Sequence, residues 1–252
     1  MESFCTRSSI FLSQSKYAKN LVKKFGLEFA SSVRTPMSPN VKLFVNLLGK
    51  SVDSSFYKSM IGSLLYLTTS RPNISYNVGV CARYQANPKE SHMIALKKII
   101  KYVETTTDFG VWYSKDTNNV LTGYSDTDWA GNTNDRKSTS GGCFYVGNNL
   151  VSRISKKQNS ISLSTTEAEY IPADSCCTQL LWMQKLLHDY GICQQHLTVV
   201  EGKFFTPHGF ILLATHTTSI LSWILGESIL KPKRVLIHKN DAKAHGPKLM
   251  LI

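Results

Sequence analysis

The chain has 252 residues, with 29 Lys and Arg against 17 Asp and Glu, so its formal net charge at neutral pH is +12. This length allows one large domain or two small ones, and a basic excess suits a polyanionic partner, although solubility alone accounts for it equally well. The six cysteines show no C-x-x-C or Cys/His metal spacing, which argues against a cysteine-based metal site. No basic-then-apolar segment opens the chain, which argues against a secreted protein.

The first part of the chain is predicted to be mainly helical. A short strand at 10–12 precedes a helix that has Ser15 as its N-cap candidate and Gly26 as its end. Pro36, Pro39 and Gly49 indicate an extended linker. Helical periodicity then predicts helices over 55–69, 74–84 and 89–104, separated by the breaks at 71–72 and 87–88.

The last of these helices carries three lysines beside its apolar stripe, Lys97, Lys98 and Lys101. Taken alone, they favour a solvated helix face. The alternative is that they lie along the backbone of a nucleic acid. Both interpretations stay open at this point.

After residue 107 the sequence pattern changes from helical to mainly β-strand. Strands are predicted at 109–113 and 120–129, with 115–119 as the turn between them, and a hairpin is predicted from 142–146 and 150–154. A helix follows over 165–187. Strands that precede an amphipathic helix indicate an α+β or mixed-sheet domain.

Two acidic stretches are candidates for chemistry. Asp126 and Asp128 share one face of their strand, although such a pair is more often a solvated turn than a metal site. Glu167 has an ordinary role in a capping box with Ser164. Glu169 heads an otherwise apolar helix face, where a carboxylate is costly unless it is paired or bound to metal. Carboxylates on a strand end and on a helix can together form part of a Mg²⁺ site.

Several motifs occur in a fixed order. Before residue 108 they are Gln14-Ser15-Lys16-Tyr17, Arg34-Thr35-Pro36-Met37 and Arg71-Pro72-Asn73-Ile74; after it they are Tyr124-Ser125-Asp126-Thr127-Asp128-Trp129-Ala130-Gly131, Ser155-Lys156-Lys157-Gln158 and Ser164-Thr165-Thr166-Glu167-Ala168-Glu169-Tyr170. From about residue 10 to 198, the chain resembles the Pol polyprotein of copia-type LTR retrotransposons, particularly those of plants. The upstream motifs resemble the end of the reverse transcriptase and its connection, and the downstream ones resemble the ribonuclease H domain.

This resemblance implies an organisation and an activity. It implies the end of a reverse transcriptase over 1–50, a helical connection over 51–107, a ribonuclease H-like mixed sheet with helices over 108–198 and an unrelated tail over 199–252. Asp126 and Glu169 match the first catalytic Asp and the catalytic Glu, and both would be ligands of Mg²⁺. The implied reaction is hydrolysis of the RNA strand of an RNA–DNA hybrid during reverse transcription.

The resemblance also implies partners and a location. The partners would be an RNA–DNA hybrid or other nucleic acid and the rest of the polyprotein, with no membrane. Five lysines are the candidates for contact with nucleic acid: Lys97, Lys98, Lys101, Lys156 and Lys157. The location would be intracellular, either cytoplasmic in a virus-like particle or nuclear.

The chain departs from the family pattern at several positions. Glu201 stands near the place where the resemblance predicts a strand-end Asp, and no later His/Asp motif follows. Arg153 replaces a usual Trp, Thr127 a common Ala, and Pro172 interrupts the predicted catalytic helix, where an interior proline costs about 3 kcal/mol. We therefore expect an impaired ribonuclease H. The alternative is a non-catalytic remnant that retains only nucleic-acid binding.

The tail matches no motif of this family. Its segment 209–226 is fairly apolar, but polar residues interrupt it, so a buried or poorly ordered segment is preferred over a membrane anchor.

Overall fold

The computed structural model describes residues 1–28, 31, 33–37, 43–194 and 198–201, together with the backbone of two short strands at 218–219 and 236–238. Two β-sheets and five α-helices are present among these residues. The predicted α+β class with a mixed sheet is therefore confirmed. The apolar tail segment 209–226 lies outside the described residues, apart from the backbone of 218–219.

The chain begins with an antiparallel hairpin of β1 (Glu2–Cys5) and β2 (Ser9–Ser13). Helix α1 (Ser15–Lys24) follows directly and ends before Gly26, whose φ of +66° is the left-handed conformation that glycine adopts without strain. The predicted N-cap is displaced by one residue, since Gln14 occupies that position and Ser15 is the first helical residue.

Three further helices pack with α1 in a helical layer, which we call the first layer. They are α2 (Ser54–Leu67), α3 (Ser75–Ala82) and α4 (Glu90–Thr105), with a 3₁₀ turn at Pro72–Ile74 between the first two. Their apolar stripes meet in one buried cluster that includes Tyr57, Leu64, Leu96 and Ile100. The three predicted helices are thus confirmed to within a few residues, because their periodicity matches the face that they bury.

Arg71 is buried inside this layer without a carboxylate partner among the described residues. Its Nη1 and Nη2 donate to the carbonyl and hydroxyl oxygens of Thr106 at 2.8 and 2.5 Å, and its guanidinium lies 5.4 Å from the ring centre of Phe109. Burial lowers the pKa of the Arg71 guanidinium to about 10, so the group stays charged at neutral pH. Arg71 therefore ties the start of the 3₁₀ turn to the end of α4.

Strand β3 (Phe109–Ser114) joins the first sheet rather than pairing with the strand that follows it. The order of that sheet is β1-β2-β3-β9, where β9 is Leu236–His238, and its neighbours are antiparallel. Residues 115–119 consequently connect two sheets instead of closing a hairpin. Gly110 permits this pairing, because a Cβ there would lie 2.2 Å from the carbonyl oxygen of Leu12.

The second sheet has the order β6-β5-β4-β7-β8. Its strands are β4 (Leu121–Asp128), β5 (Thr139–Val146), β6 (Asn149–Lys157), β7 (Thr198–Glu201) and β8 (Thr218–Ser219). Strands β4, β5 and β6 are antiparallel, and β7 is parallel to β4. The predicted hairpin is confirmed as β5–β6, with Gly147 at a φ of +60° in its turn.

Helix α5 (Thr165–Asp189) covers one face of this sheet. Cys176 and Leu180 approach Gly123 of β4 so closely that a Cβ at that glycine would lie 2.7 Å from the Cys176 sulfur. Leu121 and Phe144 belong to the same buried cluster. Tyr124 packs with Cys143, Tyr145 and Val200 in a separate cluster, which alternation along β4 places on the opposite face.

Candidate carboxylate site and nucleic-acid interface

Asp126 lies on β4, as predicted, two residues before the strand ends. It is half-buried, and one of its oxygens accepts the amide of Thr127 at 2.8 Å. Alternation places its side chain on the same face as Tyr124, away from the α5 core. The pairing of β4 with β7 ends, as far as it is described, at Ser125 and Glu201. Asp126 is the next residue of β4 after this pairing.

Asp128 is committed to protein contacts. One carboxylate oxygen accepts the Tyr76 hydroxyl at 2.9 Å, and the other accepts the Thr139 amide. Burial raises the pKa of the Asp128 carboxyl above its ordinary value, and the hydrogen bonds from Thr139 and Tyr76 offset this only in part. A Cβ at Gly131 would lie 2.1 Å from Asp128 Oδ2, so a larger residue there would displace this carboxylate. Asp128 thus closes a turn and contacts α3.

Glu169 lies early in α5 and is half-buried. The predicted apolar face of α5 comprised Glu169, Ala173, Cys176, Leu180 and Leu187, and of these Cys176 and Leu180 are buried. The first turns of α5 bury Ala168 and Pro172 and leave Glu169 half-buried beside them. Half of the predicted capping box is present, since the Glu167 amide donates to the Ser164 hydroxyl at 3.1 Å. The Glu167 carboxylate accepts the Leu163 amide at 2.7 Å and not the predicted Ser164 amide.

The sequence predicted that Pro172 would disturb α5, but the helix continues through it from Thr165 to Asp189. Proline leaves the carbonyl four residues earlier, that of Ala168, without its helical donor. The side-chain amide of buried Gln158 donates to this carbonyl at 2.8 Å. The same nitrogen lies 3.1 Å from the Ser140 hydroxyl and 3.3 Å from the Thr127 hydroxyl. The sequence alone gave no sign of this substitute donor, because Gln158 is close to Ala168 only in the folded chain.

Gln158 also shows how the two candidate acids are arranged. It bonds to Thr127, the neighbour of Asp126, and to Ala168, the neighbour of Glu169. The end of β4 and the start of α5 therefore meet at one end of the sheet. By alternation, Thr127 faces α5 while Asp126 faces the other side, so the structure brings the two acids to one end but from opposite faces of the sheet.

The set of ligands for a cation is small. No group of three His, Cys, Asp or Glu side chains suited to a metal occurs among the described residues. Asp174, a weak candidate for a substitute ligand, is exposed further along α5. Two carboxylates nevertheless fit one Mg²⁺ in kind, because this ion takes hard oxygen ligands and is often held by one or two carboxylates together with substrate phosphates.

The candidate lysines have different environments. Lys97 is exposed on α4, and Lys98 and Lys101 are half-buried beside it. Lys156 is exposed on β6, whereas Lys157 forms an ion pair of 2.5 Å with Asp135. Lys157 therefore has a structural partner, and Lys156 is the more accessible of the two.

The chain is similar to plant transposon proteins. It is 37% identical over 191 residues to the retrovirus-related Pol polyprotein from transposon RE2 of Arabidopsis thaliana, covering 76% of this chain and 13% of that protein. It is 33% identical over 201 residues to the corresponding polyprotein from transposon TNT 1-94 of Nicotiana tabacum, covering 77% and 15%. An uncharacterized mitochondrial protein of Arabidopsis thaliana, AtMg00810, is 34% identical over 175 residues, covering 69% and 72%.

The chain belongs to the Pol polyprotein family of copia-type plant retrotransposons. It spans only about an eighth of the length of the transposon Pol polyproteins that it matches. No family model and no solved structure matches this Pol fragment. Within its described part, none of the helices combines the length and apolar character needed to cross a membrane.

Proposed function

We propose that this Pol fragment carries an impaired ribonuclease H that binds RNA–DNA hybrid through its basic surface and cleaves the RNA strand weakly. The observation that supports the proposal is that Gln158 bonds to Thr127, beside Asp126, and to Ala168, beside Glu169, so that the end of β4 and the start of α5 lie at one end of the second sheet. Three antiparallel strands followed by a helix and a parallel strand provide the frame, and membership of the Pol family agrees with it. The fragment would act in the cytoplasm or nucleus beside the rest of the polyprotein.

To share a Mg²⁺ with a phosphate of the substrate, the carboxylates of Asp126 and Glu169 would both have to turn toward the end of the sheet, because they approach it from opposite faces. When bound, the ion supplies an activated water and stabilises the leaving oxygen. Lys156, exposed on β6 at the same end of the sheet, would attract the phosphate backbone. Two carboxylates are too few to hold two ions and orient the water as well, so activity should be weak.

A non-catalytic remnant that only binds nucleic acid is the second candidate. It is favoured by the lack of a third acidic ligand among the described residues. In that case the net charge of +12 would account for binding, since each contact between a basic residue and a phosphate releases counterions.

Hydrolysis of a labelled RNA–DNA hybrid with Mg²⁺ or Mn²⁺ separates the two candidates. We expect slow cleavage that Asp126→Asn or Glu169→Gln abolishes while binding at low salt persists. Glu167→Gln is the matched control, because Glu167 belongs to the same helical turn and is used in the cap. Binding without cleavage would support the remnant. Cleavage that survives both substitutions would indicate a contaminant, and no binding at low salt would overturn both candidates.

A further inference from the structure

Trp129 lies just after β4 with 45% of its surface exposed. Its Nε1 donates to the Ser162 carbonyl at 3.3 Å. On one side Asp128 is anchored to Tyr76 and Thr139, and on the other Ala130 has a φ of +51° and donates its amide to the Ser138 hydroxyl at 3.0 Å. The polar group of the indole is therefore satisfied and its orientation is fixed, while much of its apolar ring surface remains in water.

Two large aliphatic residues are exposed on the loop that Trp129 contacts through the Ser162 carbonyl. Ile161 is 54% exposed and Leu163 is 89% exposed. The loop is held by its own hydrogen bonds, from the Ser162 hydroxyl to Gln158 at 3.2 Å and from the Leu163 amide to Glu167 at 2.7 Å. We name Trp129, Ile161 and Leu163 the Trp129 surface. Since its backbone is fixed, a ligand pays little ordering entropy to bind there.

Charge identifies the kind of ligand. Lys156 is exposed on β6, and its register partner Ser140 pairs with Thr127, so Lys156 lies about two strand spacings, roughly 10 Å, from the end of β4. The carboxylate of Glu167, in the first turn of α5, accepts the Leu163 amide of this loop at 2.7 Å. A flat aromatic ring with a lysine nearby matches a nucleotide, which offers an apolar base face and a phosphate together.

We propose that the Trp129 surface stacks an unpaired base, so that the fragment prefers an RNA–DNA hybrid with a single-stranded overhang to a blunt hybrid. This inference rests on the proposed function, because it specifies the form of nucleic acid bound beside Asp126 and Glu169. Paired bases hide their faces inside the duplex, whereas unpaired bases can stack on aromatic side chains. Trp129 offers the largest such ring near the end of β4.

Fluorescence anisotropy with labelled blunt and overhang hybrids tests this preference. Stacking on an aromatic side chain typically changes affinity by roughly 5- to 150-fold per base. Trp129→Ala should therefore weaken binding to the overhang hybrid by a factor in this range and leave binding to the blunt hybrid unchanged. Trp129→Phe should retain most of the affinity. The dependence of affinity on salt should stay the same in Trp129→Ala, because stacking releases no counterions, and should become shallower in Lys156→Gln.

Two further variants keep the test sharp. Leu163→Ser alters a side chain too exposed to affect folding and should weaken overhang binding several-fold by the loss of apolar contact. Trp182→Ala is the matched control: Trp182 is 57% exposed on α5 but lies roughly 20 Å along the helix from Glu169, so this variant should bind normally.

The outcomes separate this inference from the proposed function. If the native chain binds both hybrids equally, or if Trp129→Ala and Trp182→Ala weaken binding alike, stacking at Trp129 is overturned and the proposed function stands. If the native chain binds neither hybrid at low salt, the proposed function fails and the inference fails with it.

Discussion

At the scale of single residues, the two aspartates of β4 have separate roles that their spacing conceals. Asp126 and Asp128 share a strand face, so the alternation of the strand does not distinguish one from the other as a metal ligand. The resemblance selected Asp126, and the structure supplies a physical reason to exclude Asp128, since both of its oxygens accept protein donors. Tyr76 could not be assigned to Asp128 from the sequence, because their contact joins positions far apart in the chain.

The raised pKa of Asp128 gives a pH-dependent prediction. A carboxyl whose pKa is higher in the folded state than its ordinary 3.8 binds protons more tightly when folded, so the free energy of unfolding falls as pH rises through that interval. Asparagine keeps an oxygen for the Thr139 amide and can donate to the Tyr76 oxygen. Asp128→Asn should therefore gain stability relative to the native chain between pH 4 and neutral pH.

Urea denaturation at several pH values measures this difference. The same substitution at exposed Asp116 is the control for a general charge effect. A difference between native chain and variant that moves the opposite way with pH would show that hydrogen bonds to the carboxylate outweigh its burial.

At the scale of elements, the sequence predicted what local periodicity determines. The helices of the first layer, the β5–β6 hairpin and the extent of α5 follow from apolar spacing, glycines and caps. Strand pairing could be predicted less well from the sequence, because β3 pairs with β2 and about a hundred residues separate the two strands. The disturbance expected from Pro172 was wrong for a related reason: its compensation by Gln158 is a tertiary contact.

This compensation can be measured as a coupling. Gln158→Leu removes the donor to the Ala168 carbonyl and should lower the free energy of unfolding by about 1–3 kcal/mol, the cost of a buried polar group left unpaired. In a Pro172→Ala background the backbone amide at 172 can serve that carbonyl, so the cost should fall by about 1 kcal/mol. Urea denaturation of the four proteins gives the coupling. Equal costs in both backgrounds would show that Gln158 stabilises the sheet through Ser140 and Thr127 instead.

At the scale of the whole molecule, polar side chains connect the second sheet and its loops to the helices before it. The Arg83 guanidinium donates to the Thr139 hydroxyl at 2.8 Å, and the side-chain Oδ1 of Asn134 accepts the Val45 amide at 2.9 Å. Tyr76 reaches Asp128 from α3. Such contacts require both layers to be folded, so the strand that carries Asp126 depends on helices outside its own sheet.

Arg153 makes a contact of this kind at a cost. Its Nη2 donates to the Thr68 carbonyl at the end of α2, but its buried Nη1 has no hydrogen-bond partner among the described residues. Burial lowers the pKa of the guanidinium. The Thr68 carbonyl also accepts the Arg71 amide at 3.2 Å, so it keeps a donor without Arg153.

Arg153→Met should thus preserve packing and raise the free energy of unfolding by about 1 kcal/mol, because replacing a buried charge with an apolar group is often stabilising. Urea denaturation followed by circular dichroism tests this, with Arg83→Met as a comparison that should destabilise by losing the bond to Thr139. A loss of stability in Arg153→Met would mean that the guanidinium contributes more across the layers than its burial costs.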